Sequence, residues 1–271
     1  MEKNLVSVCI PVYNGEATIK ETLDSVISQT YKELEIIIVD NCSTDRTLNI
    51  VSGANDSRIR VYKNDTNLGM VGNWNKCLEY VRGSYIQFVC ADDILYPECI
   101  RRKVEMMEHC ERLSMVFGAS EIIDSAGKVI IKRHIFKKSC IADGGKLAKR
   151  SYYLKNLYGE PSNVLFKAKL LAEAGNFALN TCYTTDWDMW LRLSCLGDVG
   201  YVNEILVKYR VSASNETSRI DYGRFLADDR VMMQNIESYH CMEINKAEEI
   251  IHHANYAVRM LARRLFMKLK C

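Results

Sequence analysis

Leu34-Glu35-Ile36-Ile37-Ile38-Val39-Asp40 is an almost unbroken apolar run that stops on an acid. A run of this length without alternation reads as a strand covered on both faces, as strands of a parallel sheet are. Upstream, Val6-Ser7-Val8-Cys9-Ile10 is a shorter apolar run stopped by Pro11 at its carboxyl edge. Asn14-Gly15 is turn chemistry, and Ile19, Leu23, Val26 and Ile27 follow at helical spacing. Downstream, Ser43 reads as the N-cap of a short helix, and Arg58-Ile59-Arg60-Val61-Tyr62 alternates as a third strand. After the Asn67-Leu68-Gly69 loop, Val71, Trp74, Leu78 and Val81 mark a helix face closed by Gly83. Tyr85 to Cys90 is a fourth strand ending at Ala91-Asp92-Asp93, and a helix after Pro97 carries Ile100, Val104 and Met107. The order β-α-β-α-β-α-β-α predicts a doubly wound parallel sheet. Ligands of such sheets bind beyond the carboxyl ends of the strands, where Pro11 to Asn14, Asp40 and Asp92-Asp93 all fall.

The second half is less regular. Met115 to Gly118, Glu121 to Ile123, Val129 to Ile131, Asn163 to Phe166 and Ile205 to Tyr209 read as strands, and Trp187 to Leu196 as a helix. The chain therefore divides into an α/β domain over 1–212, with halves 1–98 and 99–212, and C-terminal helices over 213–271. Its 271 residues are 48% hydrophobic, enough for a substantial core. A net charge of +2, from 36 basic and 34 acidic residues, gives no global field that argues for nucleic acid. The eleven cysteines include no C-x-x-C, and no secretory apolar segment follows Met1, so a reduced, cytoplasmic chain is expected. No apolar stretch is long enough to span a bilayer.

Three acidic positions are candidates for chemistry. Adjacent carboxylates at Asp92-Asp93 suit a divalent cation, and equally a solvated helix start capped by Asp93. Asp40 could accept from a nucleobase N–H or a ribose hydroxyl, or simply serve a turn. Asp186 is either an N-cap or a general base whose aromatic neighbours raise its pKa. Trp187 and Trp190 could stack on a sugar, although aromatics at this spacing are more often core. The five histidines show no metal-ligand pattern, and His252-His253 is expected on an exposed helix. No phosphate-binding glycine motif or nucleophile elbow is present.

Val6 to Gly15, Leu23-Asp24-Ser25-Val26, Gln29-Thr30-Tyr31 and Glu35 to Asp45 together resemble the amino-terminal half of family 2 glycosyltransferases. Asn67-Leu68-Gly69, Asp92-Asp93 with Pro97, Gly159-Glu160-Pro161-Ser162, Gly175-Asn176-Phe177, Asp186 to Arg192 and Tyr209-Arg210 fit in order and spacing. The resemblance implies a GT-A type fold, an inverting mechanism and a nucleotide-sugar donor, usually a UDP-sugar, in cell-surface glycan assembly. It implies nucleotide contacts at Pro11, Val12, Tyr13, Asn14, Glu16 and Asp40, with Asn67, Gly69 and Ala91 completing the set. It assigns Mg²⁺ or Mn²⁺ to Asp92, with Asp93 assisting, and makes Asp186 the catalytic base. Three positions depart from the family pattern: Cys90 opens the D-x-D element, Thr185 precedes the base, and Ser212 lies near where many relatives place a metal-binding His. A binding-only relative and a sugar nucleotidyltransferase are the alternatives; the latter lacks its Gly-rich, Arg-containing loop here. The acceptor is expected to be a glycan or a lipid-linked sugar. Ala257 to Lys270 mixes apolar and basic residues at helical spacing. It reads equally as a helix on the inner face of the membrane or as one packed on the domain or on a second copy.

Overall fold

The structure is a computed structural model that describes residues 1–212, 222–238, 245–255 and 258. Its first half is β1 (Glu2–Val12), α1 (Ile19–Ile27), β2 (Leu34–Asp40), α2 (Thr47–Ser52), β3 (Ile59–Lys63), α3 (Gly69–Leu78) and β4 (Gly83–Phe88). These strands lie side by side in the order β3-β2-β1-β4, all parallel. Every residue of β2 is buried, as its uninterrupted apolar run requires. Its side chains alternate between two cores. Ile36 and Ile38 pack with Ile19, Leu23 and Val26 of α1, and Ile37 and Val39 pack with Trp74 and Cys77 of α3. Each such fully buried side chain contributes about 1.5–3 kcal/mol.

Pro11 does not stop β1. Cys9 O accepts from Val89 N on the β4 side, whereas Val12 O accepts from Asn41 N on the β2 side. Odd positions of β1 thus face β4, which ends at Phe88, so the N–H that Pro11 lacks would have had no ladder partner. Ser43 is not a helix cap either. Helix α2 begins four residues later at Thr47, and the Ser43 hydroxyl instead accepts from Asn14 N at 2.9 Å.

The chain continues through β5 (Ile94–Leu95), α4 (Cys99–His109), β6 (Leu113–Ile123), β7 (Val129–Arg133), β8 (Cys140–Ala142), α5 (Gly144–Leu154), a 3-10 turn (Pro161–Asn163), β9 (Val164–Lys167), α6 (Leu171–Ala174), α7 (Thr185–Cys195), β10 (Asp198–Arg210) and α8 (Tyr222–Ser238). Together they complete one ten-stranded sheet, with the path β3-β2-β1-β4-β9-β6-β10-β5. Strand β9 runs antiparallel to both β4 and β6, and β5, β7 and β8 are also inverted, so the sheet is mixed, with β1, β2, β3, β4, β6 and β10 running one way. The two runs expected around Met115 and Glu121 form the single strand β6, and Ile205 to Tyr209 is the end of the longer β10.

Strand β8 and helix α5 had no counterpart in the sequence reading. Strand β8 is three residues long and only partly buried, too short to show a period. Helix α5 opens on Gly144-Gly145, which resembles loop chemistry, and Asp143 caps it by accepting from Lys146 N at 2.9 Å. A Cβ at Gly144 would lie 1.9 Å from Gly197 O and 2.0 Å from Ser194 O, so α5 can approach the end of α7 only through a glycine. Gly144→Ala is therefore expected to destabilise the fold by about 3 kcal/mol or more, read as a lower urea midpoint.

Among the described residues no helix is long and apolar enough to cross a membrane. Apart from Val258, the basic–apolar tail from Ala257 lies outside the described residues. Among the described residues eight cysteines are free thiols and Cys195 is disulfide-bonded, a departure from the all-reduced expectation. The His252-His253 expectation is also corrected. Residues 246–255 are helical, but His252 is fully buried because it stacks on Tyr152 of α5, with ring centroids 4.0 Å apart.

Candidate active site

The sheet order reverses direction between β1, which is followed outward by β2, and its other neighbour β4. At the carboxyl ends of these two strands lies a cavity of about 630 Å³. Of the residues singled out in the sequence, Pro11, Tyr13, Asn14, Ala91, Asp92 and Asp186 line it. Val12, Glu16, Asp40, Asn67, Gly69 and Asp93 do not.

Most of that second group holds the rim together. Asn14 sits at φ 48°, a conformation Asn tolerates, and its Oδ1 accepts from Thr44 N at 2.8 Å. Gly15 N donates to Thr47 Oγ1, Glu16 N to Asp45 Oδ2, and Arg46 N to Glu16 Oε2. The β1–α1 and β2–α2 loops are thus laced to each other, and the Glu16 carboxylate is used in the lacing. The Asn67 carboxamide accepts from Gly69 N at 2.8 Å and from Asn41 Nδ2 at 2.9 Å, which fixes the start of α3. Val12 is core. Asp40 is fully buried; its Oδ2 accepts from Ser43 N, and its Oδ1 makes no hydrogen bond.

The acidic pair splits in two. Asp93 is buried, with Oδ2 accepting from the Ser162 hydroxyl and Oδ1 from Arg210 N at 3.0 Å. It ties the end of β4 to the 3-10 turn and to the end of β10, so both its oxygens are committed. Asp92 lines the cavity, and among the described residues no side chain donates a hydrogen bond to its carboxylate. Burial raises its pKa, while the nearby Arg210 charge lowers it. Cys90 also lines the cavity. Burial, with Asp93 and Asp92 beside it, pushes its thiol well above the ordinary value and keeps the sulfur neutral.

Asp186 sits in the first turn of α7, on the cavity wall. Its Oδ1 accepts from Trp187 N at 2.8 Å, and Asn156 Nδ2 lies 3.4 Å from Oδ2. Burial pushes its pKa up to about 7, with the Glu160 charge adding to the rise against the Trp187 N–H. Trp187 and Trp190 are core and not sugar platforms. Trp187 donates to Ser151 Oγ, and Trp190 packs on Phe166 and Phe177.

Sequence reasoning assigned no site role to Glu160, Arg210, Met70 or Trp74, all of which line the cavity. Glu160 forms a two-pronged ion pair with Arg133 of β7. Arg210 donates Nε to Asp92 O at 3.0 Å and Nη2 to Glu21 Oε2 at 2.6 Å, so it fixes the segment carrying Asp92. Glu160 and Arg210 stood inside the quoted Gly159 and Tyr209 runs, which was the available signal. A further surprise is Asp228 of α8, whose Oδ2 accepts from the backbone N–H groups of Cys182, Tyr183 and Thr184. A carboxylate from another helix thereby gathers the backbone of the segment that leads into α7, the helix that carries Asp186.

Comparison with known proteins bears on this arrangement. Residues 7–175 match the family described as Glycosyl transferase family 2. An uncharacterized protein of Mycobacterium tuberculosis is 33% identical over 229 residues, covering 80% of this chain and 70% of its own. An uncharacterized glycosyltransferase of Rickettsia typhi is 28% identical over 215 residues, covering 79% of this chain and 66% of its own. Among solved structures, S. aureus TarS 1-349 in complex with UDP-GlcNAc superposes with a TM-score of 0.74 at 20% identity, over 93% of this chain and 71% of that one.

Proposed function

Since the chain belongs to glycosyl transferase family 2 and is a glycosyltransferase of GT-A fold, we propose that it moves a sugar from a UDP-sugar to an acceptor hydroxyl with inversion, in the assembly of a cell-surface glycan. Family membership sets aside the nucleotidyltransferase alternative. The observation that carries the reading is that Asp92 and Asp186, far apart in sequence, line one cavity together with Tyr13. Tyr13 is 50% exposed there, an aromatic face open to a nucleobase. Asp40 Oδ1, buried behind the wall without a donor, suits an imide N–H such as uracil and thymine carry, once the base displaces the cover over it. The UDP-GlcNAc held by TarS supports this donor class.

The donor set suits a hard divalent cation. Asp92 presents a free carboxylate to the cavity, and Mg²⁺ or Mn²⁺ commonly takes one or two carboxylates and completes its shell with phosphate and water. A cation held there would supply neutralisation of the charge that gathers on the departing nucleoside diphosphate. Asp93 takes no part in this reading except to anchor its neighbour. Asp186 accepts the proton of the acceptor hydroxyl as that oxygen attacks the anomeric carbon; its raised pKa fits a base working near neutrality. A single displacement by the acceptor needs no second carboxylate as nucleophile. The acceptor is a hydroxyl of a glycan or a lipid-linked sugar.

A panel of UDP-, GDP- and dTDP-sugars, each incubated with the protein and Mn²⁺ or Mg²⁺, tests the donor class. Metal-dependent release of UDP from at least one UDP-sugar is expected. Turnover of only the other nucleotides, or turnover unaffected by a chelator, would overturn it.

A further inference from the structure

Against Tyr152 of α5 and Trp187 of α7, α8 and the helix of residues 246–255 bring together Asp229, His252 and His253, whose donor atoms all lie within 4.8 Å of one another. His252 and Asp229 are 0% exposed. His252 Nδ1 lies 2.6 Å from Tyr152 O, and Nε2 lies 2.7 Å from Asp229 Oδ1. Both ring nitrogens therefore face oxygen acceptors, but a neutral imidazole carries only one N–H. With Nδ1 donating to the carbonyl, the place between Nε2 and the carboxylate is filled either by a second proton on the ring or by a metal ion. The same shortage recurs next door. His253 Nδ1 and Asp229 Oδ2 are 3.4 Å apart, yet both are buried atoms without a hydrogen bond. His253 Nε2 is turned toward Glu249 Oε1 at 3.7 Å.

We propose that Asp229, His252 Nε2 and His253 Nδ1 form a binding site for a borderline divalent metal of the Zn²⁺ class, distinct from the hard-cation position at Asp92. Imidazole with carboxylate is a donor set for Zn²⁺, and three protein donors leave a fourth position for water. His253, 35% exposed, gives water its route. Metal-ligating histidines hand their other ring N–H to a carbonyl or carboxylate, as Tyr152 O and Glu249 are placed to accept here. Bonds of about 2.0–2.1 Å put tetrahedral donors roughly 3.3 Å apart; His253 Nδ1 is 3.4 Å from Asp229 Oδ2 and His252 Nε2 2.7 Å from Oδ1, so a small rotation of the carboxylate brings one of its oxygens to both rings. Such a metal fastens α8 to the following helix and to α5. The residue before Asp229 is Asp228, which holds the backbone of Cys182, Tyr183 and Thr184, so the fastening reaches the segment that leads into Asp186.

The full chain, stripped of metal by a chelator, is titrated with Zn²⁺ against a chromophoric competitor, and with Co²⁺ to read the visible bands of a tetrahedral site. One equivalent of Zn²⁺ per chain and a rise in Tm are expected. His253→Ala, a partly exposed position that leaves the buried pair intact, is expected to weaken Zn²⁺ at least tenfold and to remove the Tm rise; Asp92→Asn is expected to keep both. Zinc binding equal in wild type and His253→Ala, binding lost in Asp92→Asn instead, or no stoichiometric binding would each overturn the proposal. None of these outcomes touches the donor reading, which the nucleotide-sugar panel decides separately.

Discussion

Asp186→Asn is expected to lower the transfer rate by about 10²–10⁴-fold while UDP-sugar affinity stays within about twofold. The substitution keeps the shape of the side chain, and an Asn oxygen can still accept the Trp187 N–H that Asp186 Oδ1 accepts at 2.8 Å. What is lost is the ability to take a proton. In the wild type the rate is expected to climb with pH through an apparent pKa near 7, because burial holds the carboxyl protonated well above the ordinary range. The same burial sets the sign of a stability effect. The folded protein keeps a proton that the unfolded chain releases, so the stability linked to Asp186 is complete below the ordinary carboxylate pKa and is lost as pH rises toward 7. Asp186→Asn should therefore melt higher than wild type above pH 7, by at most about 4 kcal/mol. Normal turnover in this variant would transfer the role to Glu160, the other acid beside it on the wall, despite its pairing with Arg133.

Asp92→Asn is expected to weaken metal-dependent UDP binding by about a hundredfold, with metal-free binding little changed. Calorimetric titration of UDP with and without Mn²⁺ separates the two. A neutral amide cannot replace the carboxylate on a hard cation, and no neighbour can stand in for it. Asp93 has both oxygens engaged by Ser162 and Arg210 N, and the Cys90 thiol is kept protonated by its buried acidic surroundings. Burial also raises the Asp92 pKa, so protons compete with the cation and the metal-dependent part of binding should weaken as pH falls. A titration in Mn²⁺ that Asp92→Asn leaves unaltered would remove Asp92 from the donor site.

The nucleotide half was legible because its signals are local. The β2 run has one interpretation in a parallel sheet, and helix faces such as Ile100, Val104 and Met107 appear where their spacing puts them. Proximity was not legible. Asp92 and Asp93 are adjacent, yet the turn between β4 and β5 leaves Asp92 on the cavity wall while Asp93 is held by Ser162 and Arg210 N. Asp40 and Glu16 carry plausible chemistry in sequence, but the turns they close claim some or all of their oxygens. Asp228 and His252 could not be found at all without the docking of α8 and the helix after it, since their partners lie on α5 and before α7. Helix α5 was hidden by its opening glycines, which a close approach to Gly197 demands.

That Asp228 lies downstream of everything it organises has a consequence for synthesis. The whole sheet, through Arg210, emerges from the ribosome before α8 does. Until α8 arrives, the N–H groups of Cys182, Tyr183 and Thr184 lack the carboxylate oxygen that gathers them. The first half of the sheet is thus finished early in translation and the turn that carries Asp186 late. Such an order leaves the wall that carries Asp186 unfinished until α8 has been made and has docked.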